Sequence, residues 1–235
     1  YVTPHNGSVV VATITEHKRK LLAAVESILG DSHDPRILSL VTIYNNQLPV
    51  EFHLDAINEA EQGKVPPLDK RVDLRHIPLI TIDGESARDF DDAVFAQPDP
   101  EKPNGWHLIV AIADVSHYVA LGSALDREAQ NRGNSVYFPD RVIPMLPEKL
   151  SNELCSLKPF EDRACLAVHI WINEKGLKVR HQFVRGLMRS HARLTYNQVQ
   201  KAIDHPEQWD EKTLPFQVIK NFFLVSIKLF QEMDH

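Results

Sequence analysis

Cysteine is scarce in this sequence. Its only two, Cys155 and Cys165, show no C-x-x-C spacing and no His-rich partner motif, which argues against zinc and leaves no disulfide framework. Both read as reduced, buried thiols. Long apolar runs are missing too: no stretch approaches the ~20 residues that cross a bilayer. The N-terminal YVTPHNGSVV also lacks the basic-then-apolar layout of a secretory signal. The expectation is a cytoplasmic chain with no membrane partner. Glycine (9) and proline (15) are modest and no low-complexity run occurs, which argues against wholesale disorder.

What is present is 235 residues with 43% hydrophobic content, enough for one large domain or one domain plus part of another. The chain starts at Tyr1 and stops inside the amphipathic pattern IKNFFLVSIKLFQEMDH, so a piece of a longer protein is expected. The apolar positions Ile219, Phe222, Phe223, Ile227 and Phe230 in that pattern fit either a partner surface or the chain's own sheet.

The net charge of −6 is unevenly distributed. Residues 81–101 hold seven acids against Arg88, whereas residues 174–193 hold six bases against Glu174. Acidic and basic segments together suit a phosphate substrate with a cation at the reacting end, or simply a solvated strand face.

Residues 7–50 contain short β-like runs, SVVVATIT, AAVESILG and SLVTIYNN, separated by turn signals such as His33-Asp34-Pro35; they predict part of a small barrel. Residues 51–72 predict a polar helix and a connection, and 73–235 the main domain. There IPLITI, DDAVFAQ, WHLIVAIADVSHYV, CLAVHIWI and LKVRHQFVRGLMRS read as strands. The third of these is nearly continuous in apolar residues and so predicted central. SALDREAQNRG reads as a helix capped by Ser123 and ended near Gly133, and the tail from Leu194 reads as helical with a break at His205-Pro206. This order predicts an α+β fold with a largely antiparallel sheet.

Four aspartates crowd into TIDGESARDFDDAV: Asp83, Asp89, Asp91 and Asp92. Apolar residues on both sides draw the segment inward, so the charges call for a neutraliser. A hard divalent cation such as Mg²⁺ takes oxygen ligands and is typically shared between carboxylates and a substrate phosphate. A regular strand puts Asp83, Asp89 and Asp91 on one side and Asp92 on the other; bringing all four together needs a loop, which Gly84 permits. An acidic surface loop and a single calcium site are the alternatives. The latter lacks the EF-hand glycine and terminal glutamate.

TIDGESARDFDDAV resembles a signature of the catalytic domain of the ribonuclease II and ribonuclease R family of 3′-to-5′ exoribonucleases. So do VAIADVSHYV, LDREAQNRGNSVYFPDRVIPMLPEKLSNELCSL and SHARLTY, in the family's order from about Val72 to Tyr196, nearest to the ribonuclease R branch. Residues 1–50 look like the end of the family's second cold-shock domain, an OB-type barrel used on single strands.

The resemblance implies Mg²⁺ as cofactor, with Asp83 and Asp92 holding a first ion. Asp89 and Asp91 would serve a second ion and the attacking water and are the implied catalytic pair. It further implies single-stranded RNA as substrate and nucleoside 5′-monophosphates as products. Tyr137 falls where the family stacks a tyrosine on the terminal nucleotide, although on its own it reads as core packing between Val136 and Phe138. Arg132, Arg193 and Tyr196 lie in matching motifs, and the two arginines are implied to bind substrate. His117 and His191 read as structural histidines. Ser86 stands where the branch usually carries an acid. The family's catalytic domain continues well past residue 235, with a further arginine, a nucleotide clamp and an S1 domain. A catalytically incomplete RNA-binding fragment is therefore the alternative expectation.

Overall fold

The computed structural model describes residues 3–17, 20–208 and 214–233. In chain order the elements are β1 (Ser8–His17), β2 (Lys20–Asp31), α1 (Arg36–Asn45), α2 (Leu54–Gln62), β3 (Val72–Asp73), β4 (Ile80–Asp83), β5 (Asp92–Pro98), β6 (Trp106–Ala113), α3 (Ala124–Arg132), β7 (Val136–Tyr137) and β8 (Val142–Ile143). A π-helical turn (Lys149–Leu154) follows, then β9 (Asp162–Ile172), β10 (Lys178–Arg189), β11 (Ala192–Thr195), α4 (Tyr196–Asp204) and α5 (Leu214–Met233). They form two units: Tyr1–His53 with Arg127–Met145, and Leu54–Asp126 with Leu146–His235. Residues 54–72 belong with the larger unit, and 127–145 with the smaller one despite their distance in sequence.

In the smaller unit β1 and β2 pair antiparallel, with irregularities between Val9 and Val10 and between Val11 and Ala12. Such irregularities increase local twist, as a small barrel requires. SLVTIYNN, expected as a strand, is instead most of α1. Its β-branched residues favour a strand, but tertiary anchoring wins. Pro35 occupies the entry, the Asp34 carboxylate accepts from the Arg36 N–H at 2.9 Å, and Ile37, Ser39 and Ile43 are buried. A side chain at Gly30, where φ is +148°, would meet Ile37 Cδ1 at 2.6 Å, so this glycine lets α1 sit against the hairpin.

The larger unit is built on a seven-stranded sheet in the order β11-β4-β5-β6-β9-β10-β3. Only the outer pairs β11–β4 and β10–β3 are parallel; the others are antiparallel. The fold class is therefore α+β with a largely antiparallel sheet, and β6 lies at its centre, as its apolar run predicts, although the strand expected to continue through DVSHYV ends at Ala113 and Val115–His117 form a 3-10 turn. α5 packs on one face through Val225, against Ala96, Leu108 and Ile172, with Phe222 and Leu229 alongside. Ile219 is buried, so part of the tail's apolar stripe serves the chain's own sheet, while Phe223 and Ile227 are exposed; the side chain of Phe230 lies outside the described residues. No helix among the described residues is long and apolar enough to cross a membrane.

The helix expected from Leu194 begins two residues later, because Ala192–Thr195 pair with β4 as a strand. A capping box then starts α4: Thr195 Oγ1 accepts from the Gln198 N–H at 3.2 Å, and Gln198 Oε1 accepts from the Thr195 N–H at 2.8 Å. The cap of α3 is the expected one, with Ser123 Oγ accepting from the Asp126 N–H.

Candidate active site

β4 ends at Asp83 and β5 begins at Asp92, so the acidic segment is a loop joining two adjacent strands. Its reversal does not use the conformational freedom attributed to Gly84, which has no positive φ. The loop turns through a backbone bond from the Ala87 N–H to the Gly84 carbonyl at 3.2 Å.

The loop is fixed from both sides by distant residues. At its far end the buried Ser156 hydroxyl accepts from the Phe90 N–H at 3.1 Å and donates to the Arg88 carbonyl at 2.9 Å; the Leu157 N–H donates to the Phe90 carbonyl at 2.8 Å. Ser156 follows the π-helical turn, closed by the Cys155 N–H on the Leu150 carbonyl. The buried Arg163 donates to the Ser156 carbonyl from Nε at 2.8 Å. At the near end Arg193, paired with Thr81 in the β11–β4 register, donates from Nη2 to the carbonyls of Gly84 (2.8 Å) and Glu85 (3.0 Å).

The carboxylates stand in each other's fields. Asp83 has its pKa raised to about 6, first by partial burial and then by the charge of Asp92; Arg193 opposes the rise, while Asp89 and Asp91 add to it. Its Oδ2 is buried and has no hydrogen-bond partner among the described residues. Asp91 reaches solvent, yet enough protein surrounds its carboxyl that desolvation, ahead of repulsion from Asp89 and Asp92, raises its pKa. Among the described residues, no three His, Cys, Asp or Glu side chains converge closely enough to hold an ion between them. The donor set nevertheless fits a hard cation: every donor is an oxygen, and one buried carboxylate oxygen has no other partner.

The other sequence candidates fall elsewhere. Tyr137 is 66% exposed, which overturns the core-packing alternative. Arg132 is buried in the smaller unit. Its guanidinium donates to Glu128 Oε2 and to the carbonyls of Pro49, Pro144 and Glu51, and lies 3.6 Å from the Phe52 ring centroid. Those partners give it a structural employment within that unit. The basic stretch is largely occupied by partners within the fold: Arg180 pairs with Glu101, Arg185 with the buried Asp114, and Arg189 with Asp162. His191 Nδ1 lies 3.1 Å from the Arg189 carbonyl and the His117 ring sits edge-on to Tyr118, which suits the structural reading of both. Ser156 was missed because a lone serine in a hydrophobic motif carries no chemical signal until its partners are known.

Comparison with known proteins gives two family matches: the RNB domain over residues 71–233 and the cold shock domain over residues 2–53. Ribonuclease R of Vibrio parahaemolyticus is 45% identical over 216 residues, covering 89% of this chain and 26% of that protein. Ribonuclease R of Escherichia coli is 42% identical over 217 residues, with the same coverage of 89% and 26%. The chain thus spans about a quarter of the length of these curated relatives. Among solved structures, Mycoplasma genitalium RNase R in complex with ribose-methylated single-stranded RNA aligns with a TM-score of 0.86 at 27% identity, over 98% of this chain and 37% of that one. Yeast Ssd1, a pseudonuclease, shares the fold at a TM-score of 0.70 and 18% identity, over 94% of this chain and 28% of that one.

Proposed function

The chain belongs to the ribonuclease II/R family, nearest to its ribonuclease R branch, and from that premise we propose that it carries the cation-holding part of a magnesium-dependent 3′-to-5′ exoribonuclease. The substrate is single-stranded RNA, released one residue at a time as nucleoside 5′-monophosphates, in a cytoplasmic setting. The observation that carries this reading is the buried, unpartnered Oδ2 of Asp83, in a loop with three further carboxylates inside its electrostatic reach.

Asp83 and Asp92 would hold a first ion, and Asp89 and Asp91 a second. Bound there, magnesium supplies charge stabilisation to a phosphodiester and a usable water nucleophile at neutral pH. The remaining work belongs to the chain's own groups. Asp83 must give up the proton that its surroundings favour below about pH 6, so the site is ready near neutrality. Asp91 combines access to solvent with a raised pKa, which suits a carboxylate that orients water and accepts its proton. Tyr137 offers an exposed ring, on which stacking contributes ~1 to 3 kcal/mol per base whatever the sequence.

The spread of the carboxylates favours a second reading, an RNA-binding fragment without turnover. Incubating the chain with 5′-end-labelled single-stranded RNA and Mg²⁺ separates the two. Stepwise release of mononucleotides, abolished in Asp91→Asn, supports the enzyme. Retention of RNA without products favours the binding fragment, and neither binding nor products refutes both.

A further inference from the structure

Two side chains from distant parts of the sequence meet the acidic loop. Both bond to loop backbone. Ser156, 0% exposed, satisfies one N–H and one carbonyl on either side of Asp89. Arg193 holds the carbonyls of Gly84 and Glu85, and its guanidinium carbon lies 5.3 Å from the centroid of the Phe90 ring, so it touches both the beginning and the end of the loop. Its Nε is buried and has no hydrogen-bond partner among the described residues. Repulsion among four carboxylates pushes such a loop outward, and an unsecured loop would relieve the repulsion by opening. The clamps oppose that opening through neutral backbone groups.

We infer that Ser156 and Arg193 are positioning residues that hold the loop in place, so that Asp83, Asp89, Asp91 and Asp92 are presented together to the two proposed ions. The inference rests on the proposed reading of the loop as the site of those ions. It gives Arg193 a different task from the substrate binding that the resemblance implies. Groups that orient ligands without touching the ion typically change metal affinity by about 10- to 100-fold when removed.

The test uses the intact chain. Hydrogen–deuterium exchange over residues 84–91 and Mn²⁺ affinity by calorimetry are measured in the wild type, Ser156→Ala, Arg193→Met and Arg193→Lys. Ser156→Cys, which keeps the volume and weakens the hydrogen bonds, is run alongside in case the alanine variant unfolds. The expected result is faster exchange at the Phe90 amide and across the loop, with sheet amides unchanged, and Mn²⁺ affinity about 10- to 100-fold weaker. The lysine variant keeps the charge beside Asp83 but is one atom shorter, and should follow the methionine variant. Unchanged loop exchange in the Ser156 and Arg193→Met variants overturns the inference whether or not Mn²⁺ binds. Wild-type behaviour of Arg193→Lys overturns it for Arg193, reducing that residue to a charge. If the wild type does not bind Mn²⁺ while loop exchange rises in the variants, the cation reading falls and the clamps stand.

Discussion

Asp83 is a carboxylate whose folded environment favours its neutral form, and this has a measurable sign. Its folded pKa of about 6 lies above the ordinary 3.8, so between those values the folded state holds more protons than the unfolded state. Stability from this group is therefore present at pH 4 and lost as the pH rises through 6. In metal-free protein, Asp83→Asn should raise the melting temperature at pH 7 and flatten its decline between about pH 4 and pH 6; an unchanged profile contradicts the assignment. Gly84 supplies a contrast. A side chain there meets nothing within 4 Å and the backbone has no positive φ, so Gly84→Ala should shift stability by less than about 0.5 kcal/mol in urea denaturation. The four aspartates were legible because like charges in an apolar setting pose a problem visible in one dimension. Arg132 and Arg193 were only half legible: their motifs were plain, but their backbone-carbonyl partners lie far away in sequence.

The strands of the large sheet were readable from apolar runs and turn residues, and β6 was placed at the centre because its pattern does not alternate. α1 was not readable in this way: SLVTIYNN carries β-branched residues, and what makes it a helix is the Asp34-Pro35 entry and the burial of Ile37 and Ile43. β11 was hidden for a similar reason, since a four-residue parallel edge strand leading straight into a helix has no periodicity of its own. One buried group ties these elements together. Asp114, just after β6, takes the guanidinium of Arg185 from β10 at 2.9 Å and that of Arg71, before β3, at 2.8 Å. Removing its charge leaves the buried Arg71 without that partner, and Asp114→Asn should cost about 3 to 5 kcal/mol in chemical denaturation. A loss below about 1 kcal/mol would show that the pair adds little. The capping box of α4 is a smaller matter, and Thr195→Ala should cost about 1 kcal/mol by the same measurement.

At the scale of the molecule, the two units correspond only in part to sequence order: Arg127–Met145 join the cold-shock-like segment although they lie within the stretch matched by the RNB model. No local pattern announces that placement, because it depends on contacts between residues 101 positions apart, such as Ser39 with Asp140 at 2.6 Å. Family membership was legible from ordered motifs, whereas the use of each residue required coordinates. The central claim is that the loop from Asp83 to Asp92 is a cation site, and its most direct test is a Mg²⁺ titration of thermal stability at pH 7.5 in the wild type and in Asp83→Asn. The expected result is a saturable rise in the wild-type melting temperature, absent from the variant. An equal response in both proteins, or none in the wild type, would contradict the account.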